Sequence, residues 1–474
     1  MLYRLIKQMA LGFRPGRRDG DLVENLEAGK AAHRAGMYAA AETHYRKALV
    51  LQPEHAETLF HLGACCHAQK RLDEALRYCH EAYDSQPSQA VWRESTKNIA
   101  NDIGKNEGVP LCEGWVAALG DFSSYLGLGN ALRDIGRLSE ARDAYERARA
   151  LKPDSPFVSR RLGSLLALLG EIGDADACFR ESSNAGLRPD GVMHMSDQYF
   201  RELDQNRAAL LSGIVAIEGE WRRTDAELVV FLGGDTRYVR MFAYTLINSI
   251  QKNGGLQCAF HLHVVNPDNE IVEDVEKMRR ALGARINYTW EFPQLSQGVD
   301  LRTYYACARF LQLPKLLEEY QCPLLLLDLD QIVIGDLRRA GEAVGGCDIG
   351  IVQWHPTKWD PWDTFSASAI WYQPTCSARE LAQWTALYIA ECLSRGNSQW
   401  FLDQCAIFCV ETWLRIKRKP PILARFAPEW ACLAGKMGTN EIPSETIFWT
   451  IIYSLDENHG AVMDPRFQKY SFSN

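Results

Sequence analysis

Residues 322–337 read CPLLLLDLDQIVIGDL, so four consecutive leucines run straight into Asp328 and Asp330. Alternate residues of an extended chain face the same side, so Asp328 and Asp330 are expected to point together at the end of this strand. Unit charges about 4 Å apart repel by ~1 kcal/mol in water and ~4 kcal/mol at a half-buried surface. One carboxylate then takes up a proton, unless a hard cation such as Mn²⁺ or Mg²⁺ bridges the pair to a diphosphate. The competing expectation is two solvated aspartates at a strand end. An unbroken apolar run is what a strand covered on both faces shows, and its carboxyl end opens onto the ligand crevice of an open α/β sheet.

The flanking sequence supplies the elements such a pair needs. AELVVFLGGD reads as a strand ending in Gly233, Gly234 and Asp235, and TRYVRMFAYTLINSIQKNG as the helix after it. AFHLHVVNPD alternates with a period of two, EIVEDVEKMRRALG is helical, and RINYTWEF is a short strand. Alternating strands and helices predict a mostly parallel sheet with helices on its faces. Residues 190–224 read as a helical linker into this α/β domain, 225–474. His261 and His263 fall in mid-strand, and His355 precedes a tryptophan-rich loop, QWHPTKWDPWD, suited either to stacking on a sugar or to plain packing.

Four segments in order carry a resemblance. TYYACARFLQLPKLLEEYQCPLLLLDLDQIVIGDL resembles the segment of glycosyltransferase family 8 in which a helix bearing a cation leads to an apolar strand ending in D-x-D. FSASAIWYQP (365–374) is similar to that family's F-N-S/A-G strand, FLDQCAIF (401–408) to its Asp-Gln motif, and HGAVMDPRF (459–467) to its late His-Gly-Lys-Pro segment. The resemblance is closest to the glycogenin-like branch and covers 225–474. It implies a GT-A fold, a divalent metal (Mn²⁺ or Mg²⁺), a nucleotide-sugar donor, usually a UDP-sugar, and transfer with retention. Asp328, Asp330 and His459 would hold the metal. Gly233, Asp235 and Tyr238 fall where the family reads the nucleotide, Arg309 where a cation steadies the donor, and Asp403 and Gln404 beside the transferred sugar. Ser366 and Ser368 stand where the family has other sugar-contacting residues. Met463 and Asp464 replace its late lysine, leaving Arg466 as the nearby cation. The acceptor hydroxyl would attack on the face the diphosphate leaves, or Asp403 would act as nucleophile in a double displacement.

The first half repeats instead. Pro53 and Pro87 are 34 residues apart, and Gly29, Ala41, Ala48 recur as Gly63, Ala75, Ala82. Further copies read Gly129, Ala141, Tyr145, Ala148, Pro153 and Gly163, Ala175, Phe179. Small residues let paired helices approach, aromatic rings fill the space between them, and proline ends each pair. The order resembles the tetratricopeptide repeat over 22–189, with 90–121 a degenerate unit. Such a solenoid implies a groove for a partner protein. The six histidines from His33 to His80 are scattered over helical faces rather than gathered as ligands.

Composition bounds the rest. The 474 residues are 47% apolar and carry a formal charge of −8, which argues against nucleic acid as a partner. The 14 cysteines contain no C-x-x-C pair, as expected of buried thiols in a reducing cytoplasm. No run of ~18 apolar residues predicts a membrane span. Residues 1–21 form a basic amphipathic segment, in which Leu2, Ile6, Met9 and Phe13 share one helical face. It suits docking on the fold or, through residues 1–18, weak contact with an anionic membrane surface. The expected architecture is therefore α plus α/β: an all-α repeat solenoid followed by a GT-A domain. The expected function is metal-dependent sugar transfer to a protein or glycan acceptor recruited by the repeats. Two alternatives stand beside it: a scaffold whose second half is a degenerate transferase, and a sugar nucleotidyltransferase, which would need a more basic loop than FLGGDTRYVRM.

Overall fold

A computed structural model describes residues 15–85, 108–187, 189–214, 217–222, 224–354, 360–417, 420–433, 444–450, 455–456, 460–461 and 470. The chain forms two compact units, Met1–Val158 and Ser159–Asn474. The amphipathic reading of residues 1–14 and most of the degenerate repeat lie outside the described residues.

The first unit is helical: α1 (Pro15–Arg34), α2 (Tyr38–Leu51), α3 (Ala56–Ala68), α4 (Leu72–Ser85), α5 (Gly108–Leu119), α6 (Phe122–Asp134) and α7 (Leu138–Leu151). The repeated small residues do what their spacing predicts. A Cβ on Gly29 would lie 2.5 Å from the Tyr45 ring, and one on Gly129 would lie 2.5 Å from the Tyr145 ring. Ala41, Ala48, Ala141 and Ala148 are fully buried around those rings. Gly36 and Gly136 turn the chain between paired helices with φ of 73° and 80°, and at the same repeat position Lys70 adopts φ 62°.

The second unit begins with the rest of α8 (Pro156–Leu169) and α9 (Ile172–Asn184), which hold the fourth repeat copy; Gly163 abuts Phe179 there. Helices α10 (Asp197–Gln205) and α11 (Arg207–Gly213) follow. Residues 190–205 pack closely within this unit. Tyr388 donates to the Val192 carbonyl at 2.6 Å, and Phe200 stacks on Trp413 at 4.2 Å.

An eight-stranded sheet runs β1 (Glu218–Glu220), β4 (Ile286–Glu291), β3 (Cys258–Val265), β2 (Leu228–Asp235), β5 (Leu324–Leu327), β8 (Phe365–Tyr372), β7 (Ile349–Gln353), β9 (Leu423–Phe426). It is parallel from β4 to β5, as alternation of strand and helix dictates, but β8 enters antiparallel to both β5 and β7. The sheet is therefore mixed rather than mostly parallel, because α15 (Leu337–Val344) leads into β7, which lies beyond β8. A smaller sheet orders β10 (Ala431–Leu433), β11 (Phe448–Thr450) and β6 (Gln331–Val333). The helices of this α/β part are α12 (Tyr244–Asn253), α13 (Ile271–Leu282), α14 (Leu301–Tyr320), α15, α16 (Cys376–Ser394) and α17 (Leu402–Lys417). All four leucines of β5 are fully buried, which explains the unbroken apolar run.

Candidate functional site

Strand β2 delivers Gly233, Gly234 and Asp235 to the carboxyl edge of the sheet. The glycines are there for clearance. A Cβ on Gly233 would come 3.1 Å from the Arg309 Cβ, and one on Gly234 would come 2.7 Å from Leu329 Cδ1. Asp235 caps the helical turn that follows, accepting the Tyr238 amide at 2.8 Å.

The next strand, β5, ends at Leu327, and the chain does not stay extended through the acidic pair: it turns at Leu329 and Asp330. Leu329 is buried and takes the space that Gly234 leaves free, so the turn is held by packing. Asp328 and Asp330 nevertheless line one cleft, of about 680 Å³. Their convergence comes from that turn and not from strand alternation.

Helix α14, capped by Asp300, brings Arg309 beneath the pair. Arg309 is only 4% exposed, pairs with Asp328 through Nη1, donates from Nη2 to the Ala367 carbonyl at 3.1 Å, and stands 3.9 Å from Asp403. Burial works against its charge, and Asp328 and Asp403 more than offset that, raising its pKa. Its Nε is buried without a hydrogen-bond partner among the described residues. Asp330 makes no salt bridge among the described residues, and Arg309 acts on it only at longer range. Burial, then the neighbouring Asp328 charge, pushes its carboxyl up from 3.8 to about 7.

At the start of α17, Asp403 is buried and accepts the Gln404 amide at 2.8 Å, while the Gln404 side chain donates to the Trp362 carbonyl at 2.6 Å. Burial raises the Asp403 pKa to about 6, with Arg309 pulling against it. Just before the helix, Phe401 takes φ 72°, a conformation that costs a residue bearing a Cβ about 1–2 kcal/mol. Both Trp400 and Phe401 line the cleft. Strand β8 contributes Ser368, whose carbonyl accepts the Asp328 amide at 2.9 Å. Ser366 is buried behind the cleft wall and hydrogen-bonds Ser368 at 2.7 Å.

Of the residues singled out in sequence, Gly233, Asp235, Tyr238, Arg309, Asp328, Asp330, Ser368, Asp403 and Gln404 share this cleft. Ser366 does not reach it, and His459 and Arg466 lie outside the described residues. His261 and His263 are fully buried and bonded to Tyr320 and Thr289, as mid-strand histidines should be. In the tryptophan-rich loop, Trp362 is buried under Arg160 at 4.8 Å, so this ring packs against protein; Trp359 lies outside the described residues.

The lining residues that the sequence did not single out include Arg302, Tyr305, Trp400 and Phe401. Helical spacing places Arg302 and Tyr305 seven and four residues before Arg309, on its face of α14. The aromatic pair directly precedes the Asp-Gln motif, so proximity was its signal.

The donor set suits a hard divalent cation. Asp328 keeps one carboxylate oxygen free of its arginine, and for Asp330 the pull of Arg309 does not offset burial and the Asp328 charge, which a cation would. Among the described residues no third histidine, cysteine or carboxylate joins them.

No curated protein matches the chain. Residues 26–90 and 122–165 each match a tetratricopeptide-repeat family model. Among solved structures, MamA from Desulfovibrio magneticus RS-1 is 17% identical, covering 35% of this chain and 94% of that one with a TM-score of 0.29. PilF of Pseudomonas aeruginosa is 16% identical, covering 41% and 91%, with a TM-score of 0.33. YrrB, described as a TPR protein with an unusual peptide-binding site, is 15% identical, covering 34% and 84%, with a TM-score of 0.27. The N-terminal region of this chain is built of tetratricopeptide repeats.

Proposed function

We propose that the second unit is a metal-dependent glycosyltransferase, using a nucleotide sugar of the UDP class and transferring with retention. The observation that carries this reading is the convergence of Asp328, Asp330, Arg309, Asp403 and Gln404 in one cleft at the carboxyl ends of β2 and β5. Three separate segments supply those residues, and open α/β sheets bind ligands at that edge. Asp328 and Asp330 would hold a Mn²⁺ or Mg²⁺ ion, which would neutralise charge developing on the leaving diphosphate. Arg309 is poised to release Asp328 and direct its guanidinium to the same developing charge. Asp403, half neutralised near pH 6 and beside Gln404, suits contact with the transferred sugar. The tetratricopeptide repeats recruit the acceptor or its carrier protein and raise its concentration at the cleft.

A thermal-shift panel of nucleotide sugars with and without Mn²⁺ tests this, since a ligand of the folded state raises the melting temperature. One donor should shift it only with metal, and the same donor should be slowly hydrolysed. No shift and no hydrolysis across the panel would leave the second reading, a repeat scaffold with a non-catalytic second unit. The Arg309–Asp328 pair favours that alternative, because an internal cation already neutralises one carboxylate.

A further inference from the structure

Trp400 and Phe401 are left unused by the donor chemistry. Trp400 is 57% exposed and Phe401 is 38% exposed, although both line the cleft. Their rings stand edge to face with centroids 6.2 Å apart, and among the described residues neither meets any other ring. Phe401 holds a left-handed backbone that glycine would adopt without strain. Packing covers Phe401 in part and less than half of Trp400, which leaves ring surface in the cleft for a ligand to meet.

The neighbouring groups define the ligand. The two rings line the same cleft as Asp403 and Gln404, and the Gln404 amide nitrogen is already committed to the Trp362 carbonyl. The remaining carboxylate and amide oxygens accept hydrogen bonds from hydroxyls. A hexose matches both features, with a C–H patch on one face and hydroxyls around its rim. We propose that Trp400 and Phe401 form a platform on which a saccharide acceptor stacks. The acceptor of the transfer is then a glycan end, not a protein side-chain hydroxyl. This rests on the transferase reading above.

Calorimetric titration of the full-length protein with maltose, lactose and cellobiose tests the platform, with UDP as a parallel ligand. At least one disaccharide should bind, Trp400→Ala should weaken it tenfold or more, and Trp400→Tyr should recover most of the affinity. Phe401→Gly separates recognition from folding: it should weaken saccharide binding while holding or raising the melting temperature, whereas a packing residue would lower both. Absence of saccharide binding, wild-type affinity in Trp400→Ala, or a loss confined to UDP would each overturn the platform. Hydrolysis of UDP-sugars by the wild-type protein with Mn²⁺ tests the transferase reading separately. If hydrolysis is absent while disaccharides bind through Trp400, that reading falls and the saccharide site stands.

Discussion

Within the cleft, Asp328, Asp330 and Asp403 all act electrostatically on Arg309, and their unequal environments give them unequal roles. Asp328 faces Arg309 directly and is the most solvent-exposed of the charges in the pair. Asp330 is left to share the cleft with a like charge. On the proposed function, Asp330→Ala abolishes turnover and also the extra melting shift that Mn²⁺ gives the donor; retained turnover in a kinetic assay would remove the metal role of this residue. For Asp403 the folded pKa lies above its ordinary 3.8, at about 6, so folding takes up a proton. Its contribution to stability is present in full below pH 3.8 and is lost as the pH rises through about 6. Asp403→Asn has no charge to bury, so it should gain on the wild type by up to ~3 kcal/mol at pH 8 and by little at pH 4. Chemical denaturation at both pH values checks this, and an equal gain at both would contradict the assigned cause. The acidic pair and the Asp-Gln motif were legible as residues, but the Arg309–Asp328 contact was not, because it joins positions 19 apart across a helix and a strand.

Among the elements, turns and strand ends set the geometry. The acidic pair had suggested an extended strand, yet the chain turns at Leu329 because that side chain fills the gap over Gly234. The repeat turns show the same economy with one lapse: of four equivalent positions among the described residues, three are Gly36, Gly136 and Gly170, and the fourth is Lys70, exposed and at φ 62°. Lys70→Gly should therefore stabilise the repeats by about 0.5–1 kcal/mol, the left-handed penalty less the entropy that glycine adds to the unfolded chain. A melting temperature that falls would mean the lysine side chain makes a compensating contact. Below Arg309, Glu291 is 1% exposed and accepts from Tyr304 at 2.6 Å and Gln312 at 2.7 Å, pinning α14 on both sides of the arginine. The family resemblance marked α14 as a helix bearing a cation, but nothing local revealed its polar underside, since Glu291 belongs to β4.

At the scale of the whole chain, the proposed function divides partner binding and sugar transfer between two units, and their defects should separate. Gly129→Leu drives a side chain into the Tyr145 ring and should cost the repeats about 1–3 kcal/mol. Partner capture should fall in a pull-down while the donor-induced melting shift persists; loss of both together would show that the units fold as one. No described helix is long and apolar enough to cross a membrane. The repeats, the apolar strands and the order of the acidic and amide motifs could all be recognised from the chain alone. Each is a local pattern, in which spacing along the backbone stands in for contact in space. The antiparallel entry of β8, the turn that aims Asp330, the pairing of Arg309 with Asp328 and the exposed rings of Trp400 and Phe401 emerged only on folding. They depend on which distant segments share a space, and on how much water those neighbours leave around each charge and ring.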